Sequence, residues 1–149
     1  MTRTVSSLGA GGGPILLVDD YDDGRAAVRE ALEDAGYSII EAEHGKQALD
    51  HLVSRRDDRP ALIILDLRIS VMNGWQLLEI LGNYVGLASI PVIVVTEHEV
   101  QLDQVRHQGV VGYLQVPYAL ADLVEMVDSC FRGKSAAHRG DNDTEKQAG

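Results

Sequence analysis

Hydrophobic positions change their period repeatedly between residues 14 and 132. Ile15-Leu16-Leu17-Val18 is a short apolar run closed by Asp19-Asp20, the pattern of a strand covered on both faces. Val28, Ala31, Leu32 and Ala35 then recur at helical spacing, and Gly36 stands where a helix C-terminal glycine belongs. Residues 37–42 read as a second strand, and Ala48, Leu49, Leu52 and Val53 mark a second helix. Residues 61–65 form a third apolar strand ending at Asp66, followed by a helix carrying Leu77, Leu78, Leu81 and Val85. Pro91 opens Val92-Ile93-Val94-Val95, the most β-like run of the chain. A weaker fourth helix is predicted at about 98–107, with Leu102 and Val105 inward, before a short strand at 111–114. The last helix places Leu120, Leu123, Val124, Val127 and Phe131 on one stripe.

Strands alternating with helices, with no internal repeat, give a (βα)5 order. Right-handed crossovers then require a doubly wound parallel five-stranded sheet, an α/β three-layer sandwich. In such sheets, sites form at the carboxyl ends of the strands. Residues 14–132 are expected to be one domain. Residues 1–13 read as a flexible glycine-rich lead-in, and the polar residues 133–149 as a disordered tail too short for an output domain.

Charge and composition narrow the function. Thirteen basic against twenty-three acidic residues give a net charge of −10, which disfavours binding to a nucleic-acid backbone. Cys130 is the single cysteine, so an intramolecular disulfide framework and a Cys-rich zinc site are excluded. No apolar run approaches the ~20 residues of a membrane span, and the N-terminus lacks a secretory h-region. A soluble, cytoplasmic protein is the expectation. The five histidines show no paired metal spacing and read as surface residues, as does the mixed-charge segment 55–59. Cys130 reads as packed or idle, and Trp75 as a packing residue opening the third helix.

The candidate chemistry sits at the strand ends. The first strand ends in Asp19-Asp20, the third in Asp66 and the fourth in Thr96, and Val116-Pro117 follows the fifth. Three converging carboxylates repel one another unless a proton or cation intervenes, and Mg²⁺ suits a few carboxylates together with a phosphate. A lone strand-end Asp would be read as a helix cap; three of them beside a Thr are not. The glycine run 9–13 precedes the first strand, whereas a nucleotide loop lies between strand and helix. The acidic loop 19–23 would repel a bare phosphate, which also disfavours a flavodoxin. A haloacid-type phosphatase needs a second Asp at position 68, where Arg stands.

In Ile15-Leu16-Leu17-Val18-Asp19-Asp20, Leu65-Asp66-Leu67 through Met72-Asn73-Gly74, Val94-Val95-Thr96, and Gly112-Tyr113-Leu114 with Pro117, the chain resembles the receiver domain of bacterial two-component response regulators, the CheY-like fold. The resemblance implies that Asp66 is the phosphoacceptor, taking a phosphoryl group from a sensor histidine kinase or phosphotransfer protein. It implies that Asp19, Asp20, Asp66 and the Arg68 backbone carbonyl bind Mg²⁺, or Mn²⁺ in its place. Thr96 would hydrogen-bond the phosphoryl group, Tyr113 would be the switch aromatic, and Val116-Pro117 would be cis. Such a domain is no classical enzyme. It has at most Mg²⁺-dependent self-phosphorylation and autodephosphorylation. It signals by docking on a downstream protein through the face of the fourth helix, fifth strand and fifth helix, around Tyr113 and Tyr118, without nucleic acid or membrane.

Four features depart from that pattern. Val116 replaces the lysine expected before Pro117, so one fixed positive charge is missing. Glu97 follows Thr96 where a small residue is usual, the stretch from Thr96 to Tyr113 is about two residues short, and Arg68-Ile69-Ser70 lacks the usual Met-Pro. Arg68 could turn its guanidinium toward the site as a substitute cation, but the ordinary reading of an exposed arginine is solvated surface. Two functions stay open: a working phosphoacceptor, or a degenerate receiver acting as a phosphorylation-independent interaction module.

Overall fold

Five short strands, each four to six residues long, carry the sheet: β1 (Ile15–Val18), β2 (Ile39–Ala42), β3 (Leu62–Asp66), β4 (Val92–Thr96) and β5 (Val110–Gln115). This computed structural model describes residues 13–55, 58–69, 73–84, 86–97 and 109–132. All pairings are parallel, as the alternation required, and the strand order is β2-β1-β3-β4-β5. β1, β3 and β4 are buried at every position, which is why they read as apolar runs, broken only where β3 ends in Asp66 and β4 in Thr96.

Four helices are described: α1 (Asp22–Asp34), α2 (Gly45–Ser54), α3 (Gly74–Asn83) and α4 (Leu120–Phe131). One core joins Leu16, Val18, Ile63, Leu65 and Val94 to Leu52 of α2 and to Leu77, Leu78 and Leu81 of α3. The other joins Leu17, Ile64, Ile93 and Val95 to Val28 and Leu32 of α1 and to Leu123 and Val127 of α4. The period-2 alternation of the strands splits these two sets onto opposite faces. Gly36 ends α1 with φ +103°, a conformation that costs glycine nothing. The helix expected at about 98–107 lies outside the described residues, as do the flanking segments 1–12 and 133–149.

α3 ends at Asn83, where Tyr84 turns to an extended backbone, and Leu87 and Ile90 join that end of the core; Val85, expected on the helix stripe, lies outside the described residues. Two local expectations are corrected. Leu120 does not point inward with Leu123 but is 38% exposed, since it begins α4 at the rim of the sheet's carboxyl edge. Trp75 is likewise not a packing residue: it is 41% exposed.

Candidate functional site

The carboxyl edge of the sheet brings the expected residues to one place. β1 ends beneath Asp19, which is half-buried, while Asp20 beyond it is exposed. β3 ends in Asp66, which is 4% exposed, and β4 in Thr96, which is 6% exposed. Asp66 pairs in register with Val95, so Thr96 stands one step further out on the adjacent strand. A cleft of ≈ 260 Å³ runs from Asp19 and Asp66 between α1 and Val116-Pro117, with Ala27, Val28 and Tyr118 on its walls. A second hollow opens between Asp20, Tyr21, Asp66 and Arg68. Tyr113 lies elsewhere: it pairs with Val94 in the sheet and packs against the core under α2 and α3.

Asp66 is held by one residue two positions ahead of it. The Arg68 backbone N–H and Nε both donate to Asp66 Oδ1 at 2.8 Å, and Nη2 donates to Oδ2 at 2.5 Å. The remaining nitrogen, Nη1, faces Glu97 Oε2 at 3.7 Å. The guanidinium is thus forked on the carboxylate, a geometry that arginine's planar donors match. The hydrogen bonds to Asp66 hold the Arg68 guanidinium still further above its ordinary value. The solvated reading of Arg68 is therefore corrected. Asp66 is 4% exposed, too deep to be satisfied by water alone, and Arg68 supplies its counter-charge.

Burial pushes the Asp19 carboxyl above its ordinary value; the Tyr21 amide, donating to Oδ1 at 2.9 Å, pulls it back, and the charge of Asp66 raises it again. Burial, then Asp19 and Asp66, also hold the Tyr118 phenol up. The edge is strongly anionic, and its donor chemistry is that of a hard divalent cation. The arrangement is not: among the described residues no three His, Cys, Asp or Glu side chains are grouped to hold a metal ion. With the guanidinium in place, these residues do not fit a metal.

Val116 lies half-buried against the α1–α4 core, its N–H donating to the Thr96 carbonyl at 2.8 Å, and its bond to Pro117 is cis, as expected. Sequence reasoning missed Arg25. It is 9% exposed, donating through Nη1 to the Asp19 carbonyl at 2.7 Å, through Nε to Glu41 at 2.8 Å and through Nη2 to Asp22 at 2.8 Å. It ties the end of β1 to α1 and to the edge strand β2. The Asp22/Arg25 spacing of three was a signal; the buried tie to Glu41 had none. The capping box of α3, in which Asn73 and Gln76 exchange backbone bonds, was also missed, although Asn-x-x-Gln before an apolar run announces it.

Known proteins share this architecture. The family model described as response regulator receiver domain matches residues 15–128. The protein PilH of Pseudomonas aeruginosa is 28% identical over 121 residues, covering 80% of this chain and 98% of that protein. The polar-differentiation response regulator DivK of Brucella anthropi is 28% identical over 117 residues, covering 77% and 93%. Among solved structures, the Mn²⁺-bound form of response regulator Rcp1 is 29% identical with a TM-score of 0.66, covering 78% of this chain and 90% of that one.

Proposed function

The chain belongs to the response regulator receiver domain family, modules of two-component signalling rather than classical enzymes, and on that premise we propose that Asp66 is its phosphoacceptor. One observation carries the reading. Asp66 is buried at the carboxyl end of the central strand β3, with Asp19 and Asp20 beside it and Thr96 on the next strand. Receivers take their phosphoryl groups from histidine kinases or phosphotransfer proteins. An Asp66 carboxylate oxygen forms the new P–O bond while the donor's P–N bond breaks, and the electron pair leaves with the donor imidazole. Thr96 donates its hydroxyl to a phosphoryl oxygen, and Tyr113 follows it as the switch aromatic.

Phosphorylation and Mg²⁺ binding are general features of the family, and a relative's structure holds Mn²⁺. For this chain we assign a Mg²⁺ or Mn²⁺ site to Asp19, Asp20, Asp66 and the Arg68 carbonyl. Those residues would hold the cation only with the guanidinium off Asp66. Output runs through a protein partner, against the face of the predicted fourth helix, β5 and α4. No described helix is long and apolar enough to cross a membrane.

A second reading has its own support. Arg68 takes both oxygens of Asp66, and Val116 stands where the family's lysine is expected. A receiver so closed would dock on partners independently of phosphorylation. Intact mass after incubation with Mg²⁺ and acetyl phosphate decides between them. A phosphoryl adduct on wild type that is absent from Asp66→Asn supports the phosphoacceptor; no adduct on either supports the interaction module.

A further inference from the structure

Asp66 and Arg68 make a closed unit within a single turn of chain. Three donors of one residue engage the carboxylate, and the pair is asymmetric, with the Asp66 side chain 6% exposed and the Arg68 side chain 39%. The nitrogen not bonded to Asp66, Nη1, is the one aimed at Glu97, which is half exposed at the end of the neighbouring strand. A shift of about 1 Å would bring Nη1 into hydrogen-bond range of Glu97. Glu97 also explains why a bulky anion is tolerated where the family keeps a small residue: it faces a cation, not the carboxylates. The backbone N–H of Arg68 can keep its bond to Asp66 Oδ1 while the side chain turns, so opening the fork does not require the loop to unfold.

We propose that Arg68 is an internal counter-ion that closes Asp66, occupying the place of a divalent cation, and that metal and phosphodonor reach the carboxylate when the guanidinium turns to Glu97. The inference rests on the phosphoacceptor reading of Asp66. It gives Arg68 a positioning role: its positive charge replaces that of the absent lysine, but in direct competition with the metal. Opening is a choice between two carboxylates for one guanidinium, and Mg²⁺ shifts it by binding the open form alone.

Isothermal titration of the full chain with MgCl₂ at neutral pH tests it. Losing a forked charge-assisted pair should tighten Mg²⁺ binding about 10- to 100-fold in Arg68→Gln. Arg68→Lys keeps the charge but cannot span both oxygens, so its affinity should lie closer to that of Arg68→Gln than to wild type. Glu97→Gln should weaken Mg²⁺ binding in wild type and do so by less in the Arg68→Gln background, since it then has no guanidinium to receive. Asp66→Asn in the Arg68→Gln background should abolish the gain. An affinity in Arg68→Gln within about twofold of wild type would overturn the proposal. So would Arg68→Lys matching wild type, which marks a general charge effect. Labelling of Asp66 by acetyl phosphate is read separately. Tighter Mg²⁺ binding without an adduct keeps the latch and removes the phosphoacceptor; an adduct with unchanged Mg²⁺ affinity does the reverse.

Discussion

Replacing Arg25 by Met removes a buried guanidinium while keeping most of the volume of its stem. The three bonds it loses are unequal. Asp22 is 80% exposed on its side chain, and a pair so wet contributes ~0–1 kcal/mol. Glu41 keeps a partner, because Arg29 Nη1 lies 3.1 Å from its other oxygen. The Asp19 carbonyl loses a charged donor at 2.7 Å, which is worth roughly 1.5–3 kcal/mol. The total is about 1.5–4 kcal/mol, a large share of the ~5–15 kcal/mol that holds an ordinary domain folded. Urea unfolding followed by far-UV circular dichroism should show a midpoint lower by about 1–2 M with an unchanged slope. Arg25→Lys should recover part of the loss, because an ammonium can reach the carbonyl or Glu41 but not hold the fork. Arg29→Met is the matched control. Arg29, 33% exposed on its side chain, reaches Glu41 at 3.1 Å and Glu33 at 3.9 Å, so its removal should cost no more than ~1 kcal/mol. If Arg25→Met and Arg29→Met shift the midpoint equally, the buried tie between β1, α1 and β2 has no special weight and the reasoning fails.

Other perturbations probe the same edge and the core beneath it. Val116→Lys should raise the EDTA melting temperature by about 3–6 °C in the Arg68→Gln background and by less in wild type, where Asp66 already holds a cation; equal shifts would place the new ammonium out of reach of Asp66. In Gly74→Ala the new Cβ would lie 2.6 Å from Leu67 Cα, so the loop after Asp66 must move, at a cost of ~1–3 kcal/mol by chemical denaturation. Burial and the hydrogen bond to Asp128 hold the Tyr37 phenol well above its ordinary 10.0, so the neutral form adds stability that is full below pH 10 and lost as pH rises through the folded value. The gap in urea midpoint between wild type and Tyr37→Phe should therefore be constant near neutral pH and shrink above pH 10. Burial pushes the Cys130 thiol up to about 11, so iodoacetamide should alkylate it at pH 8 about 100-fold more slowly in the folded than in the unfolded chain.

The sequence by itself determined the sheet, the parallel sense of its strands and the edge on which the chemistry lies. Each of these follows from a local period. Ile15–Val18, residues 62–65 and residues 92–95 are apolar at successive positions, which a parallel strand covered on both faces needs. Once alternating helices make the strands parallel, their ends fall on one side, and Asp19, Asp20, Asp66 and Thr96 come with them. Burial at the sheet margin was less legible. Leu120 and Leu123 share a helical stripe, yet Leu120 is at the rim and exposed because α4 starts there. Nor could the pattern tell where α3 stops, since Val85 continues the stripe while the backbone at Tyr84 has already turned.

Only the tertiary structure decided the partners of the long charged side chains. Arg25 and Arg29 sit four apart on α1 with similar neighbours, but one is buried over the Asp19 carbonyl and the other is only half-buried beside Glu41. Arg68 has the sequence signature of a solvated loop residue and the position of a clamp on Asp66. A flexible arginine chooses between water and a carboxylate by desolvation and geometry, contributed by residues distant in sequence: Glu41 for Arg25, Glu97 and the depth of β3 for Arg68. Periodicity encodes which face a residue takes, because that is fixed by its neighbours along the chain. The direction of a guanidinium is fixed by neighbours across the sheet, and those exist only after folding.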